Sequence, residues 1–576
     1  MLGLSPWASV AAVVISAALA LLIARRPAGT AMSRLARVVD GAVAHRWAPL
    51  AVGVLTSAVV WVAWGGLDRA AVIHDEAAYL LQAELFARGT WAAPAPLLPE
   101  FFEQLYVLVT PVLASKYAPG HSLLLAPGAL VGLPGLSVVL LNGVTGALMF
   151  ALARRVTSGE VALLTWLLWV TCFPAIYFRA SYLSEVTSSA AWLGAWWCLI
   201  DWRDTRRRAA LLGVAGAVGL VAVTRPLTAV ALAVPIAVAV LRDTRTRRGL
   251  RHLALALGVG AACVAVIPLW SARTTGSALV TPLGLYTRLY VPFDVPGFGV
   301  DTAAKPMRSV PPDMALTNRS FYEEHRVHTV SALPRTLARR ARMIARDMWY
   351  DWRLGLAPFA IAGLLALPGA AWFALVTLAA HVGLYLLYAH PAFWTVYYLE
   401  SEPVLALVTA LGIARAIAWA AAVGRRGPGG AGDRSDAPVA RSVAVLTLAL
   451  AVCLPGASTL RLMRDQVNRD RAYFERFDAV IRAIPDRGAV VFVRYGPTHN
   501  DNLSLVRNPA DHNTARVWIA HDRGADNARL LAAARDRRPY LFDEASWTLY
   551  PLASQSSAGV TRTRERTAPQ SGVRLP

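Results

Sequence analysis

The sequence predicts a mainly α, polytopic helical membrane protein of about twelve spans, with a small external α/β domain at the C-terminal end. Three observations predict it. Of 576 residues, 56% are hydrophobic and only 16% charged, where soluble domains carry about 25% charged residues. Apolar runs long enough to cross a hydrocarbon core of about 30 Å recur along most of the chain, which is a helical pattern and too long for barrel strands. Past residue 460 the character changes to a charged helical stretch followed by short β-type runs.

The first apolar run, residues 4–24, is followed by Arg25 and Arg26 rather than preceded by a basic segment, so it reads as a retained helix and not a cleaved leader. Further candidate spans are 47–67, 134–153, 160–178, 184–201, 209–223, 226–241, 253–270, 355–368, 370–389, 398–422 and 442–459. The loops between them test the count. Arg25, Arg26, Arg34, Arg37 and Arg46, then Arg154 and Arg155, then Arg203 and Arg206 to Arg208, then Arg242 to Arg251, then Arg425 and Arg426 all fall on one side. The positive-inside rule makes that side cytoplasmic. Both termini, residues 68–133, residues 271–354 and everything after residue 460 are then external.

The domain reading follows from this. Residues 1–459 form the membrane domain, which holds the external loops 68–133 and 271–354 and a Gly/Pro-rich cytoplasmic linker, 424–441. Residues 460–552 form the external α/β domain, with a helix over Arg461–Ile484, strands over Ala489–Tyr495, Arg516–Ala520 and Pro539–Phe542, and a helix over Asp526–Arg535. Residues 553–576 read as a disordered tail. In the first external loop, Ser122–Leu133 is apolar but too short to span, so it lies in the interface or re-enters.

A formal charge of +21 and a pI near 10.5 would suggest nucleic acid in a soluble protein. Here the arginines crowd the short loops, where they set orientation, and no nucleic-acid partner is expected. Cys172, Cys198, Cys263 and Cys453 fall in apolar runs without metal or redox spacing, which excludes a disulfide framework and a zinc site. No GxGxxG opens a strand-to-helix unit, so no nucleotide cofactor is expected.

Chemistry concentrates in the first external loop. His74–Gly89, HDEAAYLLQAELFARG, sets Asp75 and Glu76 at the membrane surface. Helix capping explains such acids without catalysis. Lys116–Gly128, KYAPGHSLLLAPG, puts a lysine beside a Pro-Gly turn, suited to a phosphate at headgroup depth or to interfacial anchoring. A Pro-punctuated stretch with Trp91, Glu100 and Glu103 separates them. Farther on stand Arg179–Glu185 (RASYLSE), Thr224–Arg225–Pro226 and Tyr397–Pro403 (YYLESEP).

In order and content these motifs resemble the GT-C superfamily of membrane glycosyltransferases, especially bacterial relatives of protein O-mannosyltransferases and the RgtA/B/C/D-like lipopolysaccharide-core enzymes. Ala118 stands where a second proline is common there, and the first span is an addition. The resemblance implies inverting transfer of a sugar from a polyprenyl-phosphate donor to an envelope acceptor (glycan, lipid or protein) at the outer face of the cell membrane. It implies Asp75 as general base with Glu76 as the alternative acid, and Lys116, Tyr117, His121, Arg179 and Arg225 around the donor phosphate. Glu103, Glu185 and Tyr398 are the candidates for the acceptor. Each has a plainer reading: Arg179 and Glu185 as charges at span ends, Arg225 as a hairpin turn, and the Tyr397–Tyr398 pair as an aromatic belt. His121, His381 and His390 are too dispersed for a metal site, while first-loop carboxylates leave a divalent cation open. A transporter or flippase for lipid-linked sugars and a non-enzymatic envelope assembly protein are the competing functions.

Overall fold

The computed structural model describes residues 6–24, 30–244, 247–349, 351–425, 436–500 and 503–552. Helices dominate. Among the described residues, four are long and apolar enough to cross a membrane: Pro134–Val156, Pro226–Asp243, Gly249–Thr275 and Thr395–Ala420. Two bent pairs meet the same test jointly, Arg37–Ala44 with Ala48–Trp64 and Arg353–Leu364 with Gly369–Tyr385, which gives up to six. Val14–Ile23, Gly159–Val170 and Arg208–Ala222 are shorter apolar helices. Proline occupies the first helical position at Pro134 and Pro226, where its missing N–H is not needed.

Most candidate spans coincide with helices, and three depart from expectation. The run 160–178 is two helices, Gly159–Val170 and Phe173–Arg179, separated at Thr171 and Cys172. Residues 30–44, taken as loop, form a helix, Thr30–Ala44. The last span and the charged helix after it are one helix, Asp436–Arg482, of 47 residues. At 1.5 Å per residue it is about 70 Å long, roughly twice a hydrocarbon core. Helices Ala357–Leu364 and Glu402–Arg425 cross through glycine: a Cβ on Gly363 or Gly412 would overlap a carbonyl of the other helix.

The arginines of the short loops meet at one end of the bundle. Arg155 pairs with Asp204 at 2.6 Å, Arg203 and Arg206 share Asp243 at 3.1 and 3.4 Å, and Arg154 donates to the carbonyls of Val43 and His45. Arg25, Arg26, Arg245, Arg426, most of the linker and the tail after residue 552 lie outside the described residues.

At the other end, the first loop folds into a three-stranded antiparallel sheet. β1 (Ala93–Pro94), β2 (Val107–Leu108) and β3 (Val112–Ser115) lie in the order β1-β3-β2. The apolar segment after it forms the helix Gly120–Leu130. The C-terminal region holds β4 (Ala489–Arg494), β5 (Val517–His521), β6 (Arg538–Asp543) and β7 (Thr548–Pro551), in the order β5-β4-β6-β7. β4 is parallel to both neighbours, and β7, absent from the sequence reading, closes the edge antiparallel to β6.

Because side chains alternate along a strand, β4 feeds two cores. Val491 and Val493 pack with Phe474 and Phe477 at the end of the long helix. Val490 and Phe492 pack with Phe101 and Phe102 of the first loop. The small sheet is thus clamped between the long helix and the loop that carries the acidic motif. Arg507 donates to Val72 at 2.7 Å, His521 to the Glu103 carbonyl at 2.7 Å, and Arg529 pairs with Glu100 at 2.9 Å.

Candidate active site

The helix His74–Ala87 begins with the acidic motif, and its first turn separates the two carboxylates by job. Glu76, at the third helical position, turns back. Its Oε2 accepts the N–H groups of Val72 (2.8 Å) and Ile73 (3.2 Å), and its Oε1 accepts that of Tyr182 (2.9 Å). These are the otherwise unpaired donors of a helix start and of a loop over a hundred residues away. With both oxygens engaged and the side chain buried, Glu76 is a structural tie.

Asp75 faces the other way, half-buried, and accepts a hydrogen bond from the Tyr117 hydroxyl on Oδ1. Burial raises its pKa above the ordinary carboxylate value. The Tyr117 hydroxyl and the positive charge of Lys116 oppose that rise. The Tyr117 ring stacks on Tyr79, centroids 4.5 Å apart.

Lys116 directly follows β3, and its N–H extends the sheet by donating to the Tyr106 carbonyl at 3.0 Å. Its ammonium lies among three rings: 4.0 Å from the centroid of Tyr106, 5.0 Å from Tyr286 and 5.2 Å from Tyr117. It makes no hydrogen bond or ion pair to another described residue. Burial lowers its pKa, while the carboxylates of Asp294 and Asp75 raise it. Tyr286 and Asp294 come from the second long loop, where the Tyr286 hydroxyl accepts the Tyr106 N–H at 3.0 Å.

Beside this pair lies a second charged group, at the end of the helix bundle. Arg225 forms an ion pair with Glu185, lies 3.8 Å from Glu400, and donates to the Tyr385 hydroxyl at 2.8 Å and to Thr228 at 3.1 Å. Glu400 also accepts from Ser188. The two groups adjoin through Tyr79 and Tyr397, each of which feels the charges of both Asp75 and Arg225. The Pro-Gly turn explains the closeness. Gly120 donates its N–H to Val223 at 2.7 Å, and a Cβ there would sit 2.8 Å from the Val223 carbonyl oxygen, so only glycine lets the loop lie against the Thr224–Arg225 turn.

The remaining candidates lie elsewhere or are saturated. His121 bridges Thr187 and the Tyr182 carbonyl, both at 2.8 Å. Arg179 covers the Trp169 ring, donates to the Trp169 carbonyl at 2.9 Å and sits 3.6 Å from Glu402. Glu103 is fully enclosed by Tyr290 (2.7 Å) and Arg308, where it joins the two long loops. Tyr398 is buried against His390 at 3.1 Å, while its neighbour Tyr397 is the half-buried ring turned to the Asp75 group. Among the described residues no three His, Cys, Asp or Glu side chains gather as a metal site.

No family model matches the chain, and no curated protein matches it. Among solved structures, the crystal structure of ArnT from Cupriavidus metallidurans in the apo state matches with a TM-score of 0.51. The match covers 86% of this chain and 92% of that chain at 15% sequence identity. The chain shares the overall fold of that structure. Its own apolar helices mark it as a membrane protein, and it carries a small C-terminal sheet.

Around this site, the sequence did not single out Tyr106, Tyr286, Asp294, Tyr385, Tyr397 and Glu400. Tyr397 and Glu400 stood inside the YYLESEP motif, but nothing in the motif itself ranks Tyr397 above Tyr398, since only the folded chain buries one and leaves the other half-exposed. Tyr106, Tyr286 and Asp294 carry no local signal, since two separate loops create their surroundings.

Proposed function

We propose that this protein transfers a sugar from a polyprenyl-phosphate donor to an envelope acceptor at the outer face of the cell membrane, with inversion and with Asp75 as general base. The observation that carries the proposal is the pairing of a half-buried carboxylate, Asp75, with a lysine, Lys116, held only by aromatic rings in the same enclosure. Likeness in fold to ArnT, a GT-C transferase, supports the class of reaction. In this reading the chain crosses the bilayer about twelve times, its arginine-rich end is cytoplasmic, and residues 460–552 form an external domain.

Asp75 takes the proton of the acceptor hydroxyl as that oxygen attacks the anomeric carbon, a contribution of about 10² to 10⁴-fold for a well-placed base. The bond from the anomeric carbon to the phosphate oxygen breaks, and the departing lipid phosphate meets the Lys116 ammonium. Arg225 is already balanced by Glu185 and Glu400, so Lys116 is the site cation left for phosphate, and the Arg225 group holds Tyr385 and Tyr397 in place.

The test is sugar release from a panel of polyprenyl-phosphate sugars to an envelope extract by reconstituted wild type and Asp75→Asn. Transfer by wild type that falls at least a hundredfold in the variant supports the reading. Movement of lipid-linked sugar across the bilayer without transfer would replace it with a flippase.

A further inference from the structure

The helix Leu333–Met348, LPRTLARRARMIARDM, lies in the second long loop and carries three distinct faces. One is buried: Arg340 donates to the carbonyls of Tyr385 (2.6 Å), Tyr388 (2.8 Å) and His390 (3.3 Å), and Met348 packs inward. These bonds fix the helix at the end of the bundle that holds Tyr397 and the Asp75 group.

The second face is basic. Arg335, Arg339, Arg342 and Arg346 recur at intervals of four, three and four residues, which aligns them along one side of an α-helix. All four are exposed. Arg335, Arg339 and Arg342 make no ion pair or hydrogen bond to another described residue. The third face, on the opposite flank, is apolar and uncovered: Leu337 is 41% exposed, beside exposed Ala338 and Ala341.

An arginine row facing water alone needs no apolar flank, and a protein-covered apolar flank would not be exposed. One occupant satisfies both. The helix ends at Met348, and the bent pair of apolar helices that can cross a membrane starts at Arg353, with Leu354 and Ile361 bare at 59% and 67% exposure. The helix therefore stands at the border of the bilayer.

We propose that Leu333–Met348 is an in-plane interfacial helix that binds anionic phospholipids of the adjoining leaflet. The Leu337 flank enters the acyl boundary, and Arg335, Arg339 and Arg342 engage lipid phosphates, with Arg346 extending the row. Amphipathic helices with a basic polar face bind anionic leaflets in this way. The inference concerns lipid binding and stands apart from the sugar-transfer reading.

The full-length protein is reconstituted into nanodiscs of phosphatidylcholine mixed equally with phosphatidylglycerol, and the lipids retained on release into mild detergent are counted by native mass spectrometry. Wild type retains phosphatidylglycerol with roughly tenfold preference. The R335Q/R339Q/R342Q protein loses the preference, the corresponding lysine triple variant keeps it, and Leu337→Gln lowers retention of both lipids. Equal retention by wild type and the glutamine variant would overturn the proposal, as would loss of preference in the lysine variant. Displacement by inorganic phosphate alone would instead mark a free-anion site, and displacement by a soluble anionic glycan a glycan site; either also overturns it. Because the three exposed arginines make no hydrogen bond or ion pair to another described residue, thermal unfolding of the variants matches wild type.

Discussion

Tyr117 joins the two motifs of the first loop: its hydroxyl donates to Asp75 while its ring lies flat on Tyr79, four residues farther along the same helix. One side chain thus sets both the protonation and the direction of the proposed base.

That hydroxyl bonds the charged form of Asp75, so its removal lets burial raise the carboxyl pKa further. A base must be ionised, so activity falls as pH drops through its pKa. Tyr117→Phe therefore moves the acid limb of the pH–rate profile upward. An unmoved limb, measured on the reconstituted enzyme, would remove Asp75 from the role of base.

Lys116 gives a second separable expectation. On the proposed reading, Lys116→Gln takes away the one cation among the described site residues not already balanced by carboxylates and costs about 10² to 10³ in rate, judged by the loss of one preorganised charge-stabilising group. It also removes a charge that holds the Asp75 pKa down, so the acid limb rises as well. Lys116→Arg does not restore the rate, since a planar guanidinium is bulkier than the ammonium that Tyr106, Tyr286 and Tyr117 surround and presents its charge differently. Initial rates against donor concentration check both variants.

How far the sequence disclosed this site follows from the range of its interactions. Motif order and surface placement single out Asp75 and Lys116 in the sequence, and the structure sets both beside Tyr117. Glu76 was legible only as the neighbour of Asp75, and its capping bonds appear once the Tyr182 backbone is brought beside it. Tyr286 meets Tyr106 across 180 residues, so no periodicity in either loop announces the contact. Apolar runs located most helices, yet the last span was ended at residue 459, and the helix Asp436–Arg482 in fact runs on through Pro455, Gly456 and that boundary. Residues that end a helix in water are tolerated where neighbours supply the missing partners.

The C-terminal sheet carries its own pH response. Burial raises the Glu544 carboxyl, but hydrogen bonds from His499 (2.9 Å), Tyr473 (2.6 Å) and the Gly496 N–H (2.9 Å) more than offset that, leaving its pKa below the usual value. A depressed carboxylate stabilises the fold above its unfolded pKa, about 4.3, and the stabilisation is lost as pH falls through the folded value. Glu544→Gln then loosens the sheet at neutral pH and weakens its acid dependence below about pH 4. Hydrogen exchange of β4 and β6 as a function of pH measures this, and a variant with the wild-type pH response would show that Glu544 does not control it.

Gly120 separates stability from chemistry. Its missing Cβ lets the Pro-Gly turn donate to Val223 and press against Thr224, immediately before Arg225. Gly120→Ala places a methyl against a backbone carbonyl, which cannot swing aside as a side-chain tip can, so the two motifs must part by several tenths of an ångström. Overpacking of this kind costs about 1–3 kcal/mol. The displacement falls between the Asp75–Lys116 pair and the Arg225–Glu185–Glu400 group, so the rate falls by more than the fraction unfolded accounts for. The expected result is a protein that stays folded, with a modestly lowered melting temperature, and transfers sugar at least tenfold more slowly. Thermal unfolding and initial rates on the same preparation decide it: loss in proportion to unfolded protein would mean that the two charged groups act independently of their spacing.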